Sequence, residues 1–376
     1  MTSGKKPTAR EFFYNWALED GDRFVVDISN DEINSKFEKH FAEIASLSDL
    51  EINELRDNIL NFSDTHSNHA GINVNISTIQ TINSDWIPSA FFDDIFAGVV
   101  RETDIAALSK YKDSEFSGKL VTYSLGMMHS AIFFGDMFAF YSLPPQNYAS
   151  RPVVEQNEFI FYVLRLFNWW RLSELRGELF EASIIYEKFQ IEHGGWANVA
   201  CAMADQFIVG HEIAHHLVGD TGYQPHVSEE LDFIDGCVAS LTDAIDKFCP
   251  DGADRKELNA DAVSLFFFLG KPTALRECSA LDLNLAAIGT LTALGTMSIL
   301  TDKGRDETAF SSQATRRFIV MGGLISSLVR QHKAETAQEE ATDEITLNLV
   351  TQITEFVDTL LTHRRAWQAK LGPGEV

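Results

Sequence analysis

The stretch Val209-Gly-His-Glu-Ile-Ala-His-His-Leu-Val-Gly-Asp220 holds His-Glu-x-x-His at 211–215 and one further histidine directly after. How that spacing is read decides how the rest of the chain is read. On an α-helix, side chains four apart stand on one face, so His211 and His215 aim two imidazole nitrogens at one point. Glu212 is rotated by about 100° from His211. It is poorly placed to ligate the same ion and well placed to reach a water beside it, as a general base must. His216 points away from the pair and reads as a satisfied neighbour. Phe207, Ile208 and Val209 seat the helix, predicted over 196–218, in a core, while Gly210 and Ala214 leave room beside it. The competing reading is a helical histidine pair with no metal. With 11 histidines in the chain, the motif alone arises by chance in about one comparable chain in a few dozen, so its surroundings must carry part of the weight.

A catalytic zinc takes three protein ligands and keeps one position open. A metzincin continuation requires glycine at 218 and histidine at 221; this chain has Val218 and Thr221, which excludes it. The other common source is a carboxylate on a second helix. Downstream lies DRKELNADAVSLFFFLG, 254–270, a predicted helix stopped by Gly270-Lys271-Pro272. Glu257 and Asp261 share a face of it. Glu257 can complete the ligand triad, and Asp261 can accept a hydrogen bond from the far nitrogen of a ligand histidine, fixing its tautomer. Asp254 and Glu257 also form a capping box. On that reading Glu257 caps its own helix, and the third ligand is Glu229, Glu230 or Asp235 in the acidic connection over 219–253. The competing reading of Asp261 is an ordinary surface or capping acid.

With HEIAH at 211–215 and ELNAD at 257–261, the sequence resembles the gluzincin metallopeptidases, which pair HExxH with a later ExxxD. The resemblance covers two short motifs and names no particular family within that group. It implies a zincin-like core, one zinc ion held by His211, His215 and Glu257, Glu212 as catalytic base, and Asp261 behind the ligands. Several gluzincin families add a histidine-proline and arginine motif in a later helix. The comparable stretch here, FSSQATRRF at 310–318, has no His-Pro and keeps Arg316 and Arg317. The residue that stabilises the oxyanion is therefore open, with Tyr223, His226, Arg316 and Arg317 as candidates.

Outward from the motif, the pattern predicts an α+β fold that is predominantly helical, a zincin-like core with a small sheet. Capping boxes at Ser29–Glu32 and Ser48–Glu51 open helices in the first 65 residues. Ile72, Val74 and Ile76 alternate with asparagines and predict a strand. GKLVTYSLG, 118–126, and AIFFGDMFAFYSL, 131–143, are rich in aromatic and β-branched residues and predict sheet strands. The edge of the second is a candidate for pairing with an extended substrate, against a plain core strand. Helices are predicted within 157–182, 281–300 and 312–332. Ile345, Leu349, Ile353, Phe356 and Leu360 mark an amphipathic one near the C-terminus. The expected division is an N-terminal α+β region (1–150), a helical zinc-binding catalytic region (151–335) and a C-terminal helix packed on the core (336–376).

Composition bounds the function. The chain has 376 residues, 45% of them hydrophobic, and a formal net charge of −25. Such an acidic surface repels phosphate backbones, so nucleic acid is not an expected partner. The N-terminus carries no signal-peptide pattern, and the four cysteines show no CxxC spacing, so they read as reduced thiols in a cytoplasmic protein. Leu285–Leu300 is apolar but short for a span of about 20 residues and is read as a buried helix, with no membrane partner expected. The expected function is an intracellular zinc metallopeptidase acting on a protein or peptide. The alternatives are a non-catalytic zinc-binding regulatory or interaction protein on the same scaffold, and a metal-free helical interaction protein.

Overall fold

The computed structural model describes residues 6–13, 68–100, 107–110, 115–142, 148–172, 185–191, 195–218, 221, 255–270, 277–301, 312–336 and 340–371. The expectations at Ser29–Glu32, Ser48–Glu51 and the acidic connection of 222–253, with Cys237 and Cys249, lie outside these residues. The elements are α1 (Asn68–Ile82), α2 (Ser89–Phe92), β1 (Ile95–Val100), β2 (Ala107–Lys110), β3 (Lys119–Ser124), α3 (Leu125–Ser142) and α4 (Val153–Leu172). They continue with α5 (Gly195–Leu217), α6 (Arg255–Leu269), α7 (Ala280–Thr301), α8 (Gln313–Glu335) and α9 (Glu340–Leu371). The described residues are predominantly helical, with one small sheet among them.

The sheet has the order β1-β3-β2, with β3 central, parallel to β1 and antiparallel to β2. Every residue of β3 is buried, the polar Lys119, Thr122 and Ser124 along with Leu120, Val121 and Tyr123, as expected of a central strand covered on both faces. The far edge of β1 is closed by a side chain: the Asn73 amide of α1 donates to Ala97 O at 2.8 Å and accepts from Ala97 N at 3.2 Å. Residues 6–13 cover part of the sheet, where Phe13 packs with Phe96, Phe116 and Leu120.

Two predicted strands are helices. Ile72 and Ile76 are four apart, a spacing that fits a strand face and a helix face alike. Val74 separates the two: it is 61% exposed, while Ile72, Ile76 and Ile79 are buried together on one side of α1. Residues 131–142 of the second stretch form most of α3, an 18-residue helix. Phe133, Phe134, Met137, Phe138 and Phe140 are all buried. A helix buried on all sides is apolar on all sides, so its sequence shows no period of 3.6. Being a helix, it offers no strand edge, and pairing with substrate there is ruled out.

The centre of the molecule is α5, which packs against α1, α3, α6 and α7, with β2 and β3 across it. Phe207, Ile208, Val209, Ile213 and Leu217 are buried along it, and each large apolar side chain so placed contributes about 1.5–3 kcal/mol. The helix α7 is long and apolar enough to cross a membrane, but 83% of its apolar window is buried among its neighbours. That is the environment expected of a core helix. On α8, His332 Nδ1 meets the Asp343 carboxylate of α9 at 2.9 Å and Nε2 meets Cys278 O at 3.1 Å, which ties the start of α7 to the α8–α9 corner. Cys201 and Cys278 are buried and unbridged.

Candidate metal centre

Two helices bring the centre together. The chain forms α5 with both histidines of the motif near its C-terminal end, and α6 crosses it with Glu257 in its first turn. The crossing is close because Gly210 presents no side chain to Ser264, whose hydroxyl donates to Phe207 O at 2.6 Å. At the other end of α6, Gly270 adopts φ +69°, the left-handed conformation that favours glycine and stops the helix.

Three donor groups then converge. His211 Nε2 and His215 Nε2 are 3.1 Å apart. Glu257 Oε2 is 3.3 Å from His211 Nε2, and Oε1 is 3.6 Å from His215 Nε2. Donors bound at about 2.1 Å around a tetrahedral ion stand about 3.4 Å apart. The observed separations straddle that value, and two imidazoles with one carboxylate are a donor set zinc accepts. The residues present therefore fit the ion. Among the described residues, His211, His215 and Glu257 form the one His/Cys/Asp/Glu group compact enough for a metal.

Behind these three side chains, Asp261 is completely buried and its Oδ1 lies 2.9 Å from His211 Nδ1. That contact holds a proton on Nδ1 and leaves Nε2 facing the centre. Arg317 from α8 closes the back. Its Nε and Nη2 donate to Asp261 Oδ2 and Oδ1 at 2.8 and 2.6 Å, and Nη1 lies 3.1 Å from Glu257 Oε2.

The charges shape each other. Contact with His211 outweighs burial and, with Arg317, holds the Glu257 carboxyl down at about 2. Burial works against ionisation of Asp261, but Arg317 and His211 overcome it, and that carboxyl also lies at about 2. Burial and the Arg317 charge push His211 down; Asp261 and Glu257 push harder, and the imidazole titrates near 9. Burial takes His216 down to about 3, so it is neutral, with Nδ1 2.9 Å from the Thr221 hydroxyl. Glu212 is buried and near enough to add to the field on Arg317.

The structure thus gathers His211, His215, Glu257 and Asp261 and places Glu212 beside them. Of the two arginines, Arg317 reaches the centre, while Arg316 is half-buried one position along α8. Tyr223 and His226 lie outside the described residues, as do Asp254 and the alternative ligands Glu229, Glu230 and Asp235. One buried polar cluster has no counterpart among the sequence motifs: the Tyr123 hydroxyl donates to Asp205 Oδ1 at 2.7 Å, and the Cys201 thiol faces Oδ2 at 3.8 Å. The spacing of Cys201 and Asp205 on one helix is visible in sequence, but nothing there points to Tyr123. Comparison with protein-family models, with curated proteins and with solved structures finds no match.

Proposed function

We propose that this chain is a zinc-dependent metallopeptidase of gluzincin type, with His211, His215 and Glu257 holding one zinc ion. The observation that carries the reading is the convergence of those three side chains from two helices, with the Asp261 carboxylate on the outer nitrogen of His211. Zinc, when bound, supplies Lewis acidity that acidifies water and polarises a carbonyl. Glu212 accepts the proton of the attacking water and passes it to the leaving amine, so that hydrolysis of the peptide bond leaves a carboxylate and an amine. Asp261 keeps the proton of His211 on Nδ1 throughout.

A zincin-like arrangement also draws support from the sheet. With Asn73 closing β1, the antiparallel strand β2 runs along the other side of the sheet, against α5. Among the described residues β2 pairs with β3 alone. An extended polypeptide added there forms main-chain hydrogen bonds beside the helix that carries the histidines. The substrate class that suits this edge is an unfolded or locally extended protein segment. The acidic charge of the chain disfavours nucleic acid.

The test is a pair of measurements on the full chain. The purified protein is expected to hold one zinc per chain by elemental analysis and to cleave denatured casein. Glu212→Gln should keep fold and zinc and lose cleavage by about 10²-fold or more, the scale of a general base. A variant that cleaves as fast as the parent removes the peptidase reading. Zinc held without cleavage by the parent favours the non-catalytic alternative.

A further inference from the structure

The cation at the back of the centre comes from neither of the helices that supply ligands. Arg317 projects from α8 and is almost fully buried. Its fork grips Asp261 through two parallel hydrogen bonds, Nε to Oδ2 and Nη2 to Oδ1. The remaining nitrogen, Nη1, reaches Glu257 Oε2 at 3.1 Å. Glu257 and Asp261 are one turn apart on α6, so a single planar group spans both. Nη2 also lies 3.4 Å from His211 Nδ1. Because that nitrogen already gives its proton to Asp261, the approach is packing rather than a hydrogen bond.

A buried cation here has two conceivable uses. It can donate to a developing oxyanion, or it can hold carboxylates. An oxyanion donor needs an N–H aimed at the place where substrate charge develops. In Arg317 three of the five N–H groups, one on each nitrogen, are directed at the carboxylates of Asp261 and Glu257. The geometry points to the second use, and we propose that Arg317 is the positioning residue that keeps Glu257 in the ligand set. The Glu257 side chain is 30% exposed. Water competes for it, and the guanidinium restrains it on the side away from solvent. Lysine cannot do the same, since a point charge does not span two carboxylates as a planar fork does.

This inference rests on the metal-site reading, and a double-substitution cycle separates the two. The zinc dissociation constant is measured by chelator competition for the parent, Glu257→Gln, Arg317→Gln and the double variant, with circular dichroism confirming the fold. Direct repulsion between the guanidinium and the metal acts in both arms and cancels. If Arg317 positions Glu257, Glu257→Gln costs at least about tenfold more affinity in the parent background than in the Arg317→Gln background, the scale expected of a group that orients a ligand. The visible spectrum of the Co²⁺ form should then move in the same direction for Arg317→Gln as for Glu257→Gln. Equal costs in the two backgrounds, or a larger cost without Arg317, overturn the proposal while leaving the metal site standing. A parent that binds no zinc, or one indifferent to Glu257→Gln, overturns both. Should Arg317→Gln fail to fold because Asp261 is left buried without a cation, Arg317→Lys keeps a charge there, removes the fork and carries the same cycle.

Discussion

Asp205 stands six residues before His211 on α5, buried between the Tyr123 hydroxyl and the Cys201 thiol. Burial lifts its carboxyl to about 7, against the opposing hydrogen bonds from Tyr123 and Cys201. The unfolded chain releases that proton near the ordinary value of 3.8. Between these two values the folded state binds more proton than the unfolded state, so stability from this group is full below about pH 4 and is lost as pH rises toward 7. Asp205→Asn imitates the neutral acid and removes the dependence. Relative to the parent, its unfolding free energy should rise across that window by a few kcal/mol at most, since each tenfold change in proton affinity corresponds to about 1.4 kcal/mol. Urea melts at pH 4.5 and 7.5 read this directly, and a parent-to-variant difference that stays constant with pH counts against it. The contrast between Asp205 and the His211/His215/Glu257 cluster shows what a sequence discloses at this scale. His211, Glu212 and His215 are legible because their geometry is local, set by one helical turn. Asp205 becomes special through burial in the assembled core, beside a partner, Tyr123, that stands 82 positions away. The choice between Arg316 and Arg317 depends on the phase of α8, which is set where the Ser312 hydroxyl accepts from Thr315 N at the N-cap.

Between elements, the decisive quantity is how closely α5 and α6 approach. A side chain carbon at Gly210 would lie 2.6 Å from Ser264 Oγ and 3.1 Å from Phe267. Ser264 has no room to retreat, since it is buried and bonded to Phe207 O. Gly210→Val therefore forces the helices apart, with an overpacking cost of about 1–3 kcal/mol that exceeds the few tenths gained in helix propensity. The ligands ride on those helices, so zinc affinity should fall with stability. A variant that loses stability and keeps parental affinity, by the same chelator competition, shows that the separation is absorbed elsewhere. The HExxH and ExxxD helices were both legible, the first from the apolar Phe207, Ile208 and Val209 before its motif and the second from its stop at Gly270-Lys271-Pro272. The 72–76 and 131–143 segments were not. The first has apolar spacings common to strand and helix until the exposure of Val74 is known. The second is so thoroughly buried that neither period survives in it. In both, tertiary surroundings rather than local pattern select the helix.

Across the molecule, one apolar cluster runs from Ile72 on α1 to Leu361 on α9 and includes the buried faces of α3, α5, α6, α7 and α8. The sequence foretold a packed C-terminal helix from its amphipathic stripe, but not which surface receives it. That surface is partly α3, the segment whose pattern misled. Phe356 of α9 sits with ring centres 5.4 Å from Phe134, 5.9 Å from Phe138 and 4.9 Å from Tyr141. On its other side α9 packs along α7, where the Arg364 guanidinium donates to Ile299 O. Since α3 and α7 both pack on α5, a loss at Phe356 passes to the helix of the proposed metal site through shared packing rather than through His211 and His215. Phe356→Ala removes a fully buried ring and should cost about 3–5 kcal/mol. If the described core unfolds as a unit, heating with far-UV circular dichroism and a zinc-sensitive dye should give one midpoint for helix loss and metal release, and the substitution should lower both together. A release midpoint that stays at the parental temperature while the helix signal falls early would show that α9 melts on its own, and that α5 and α6 do not need it.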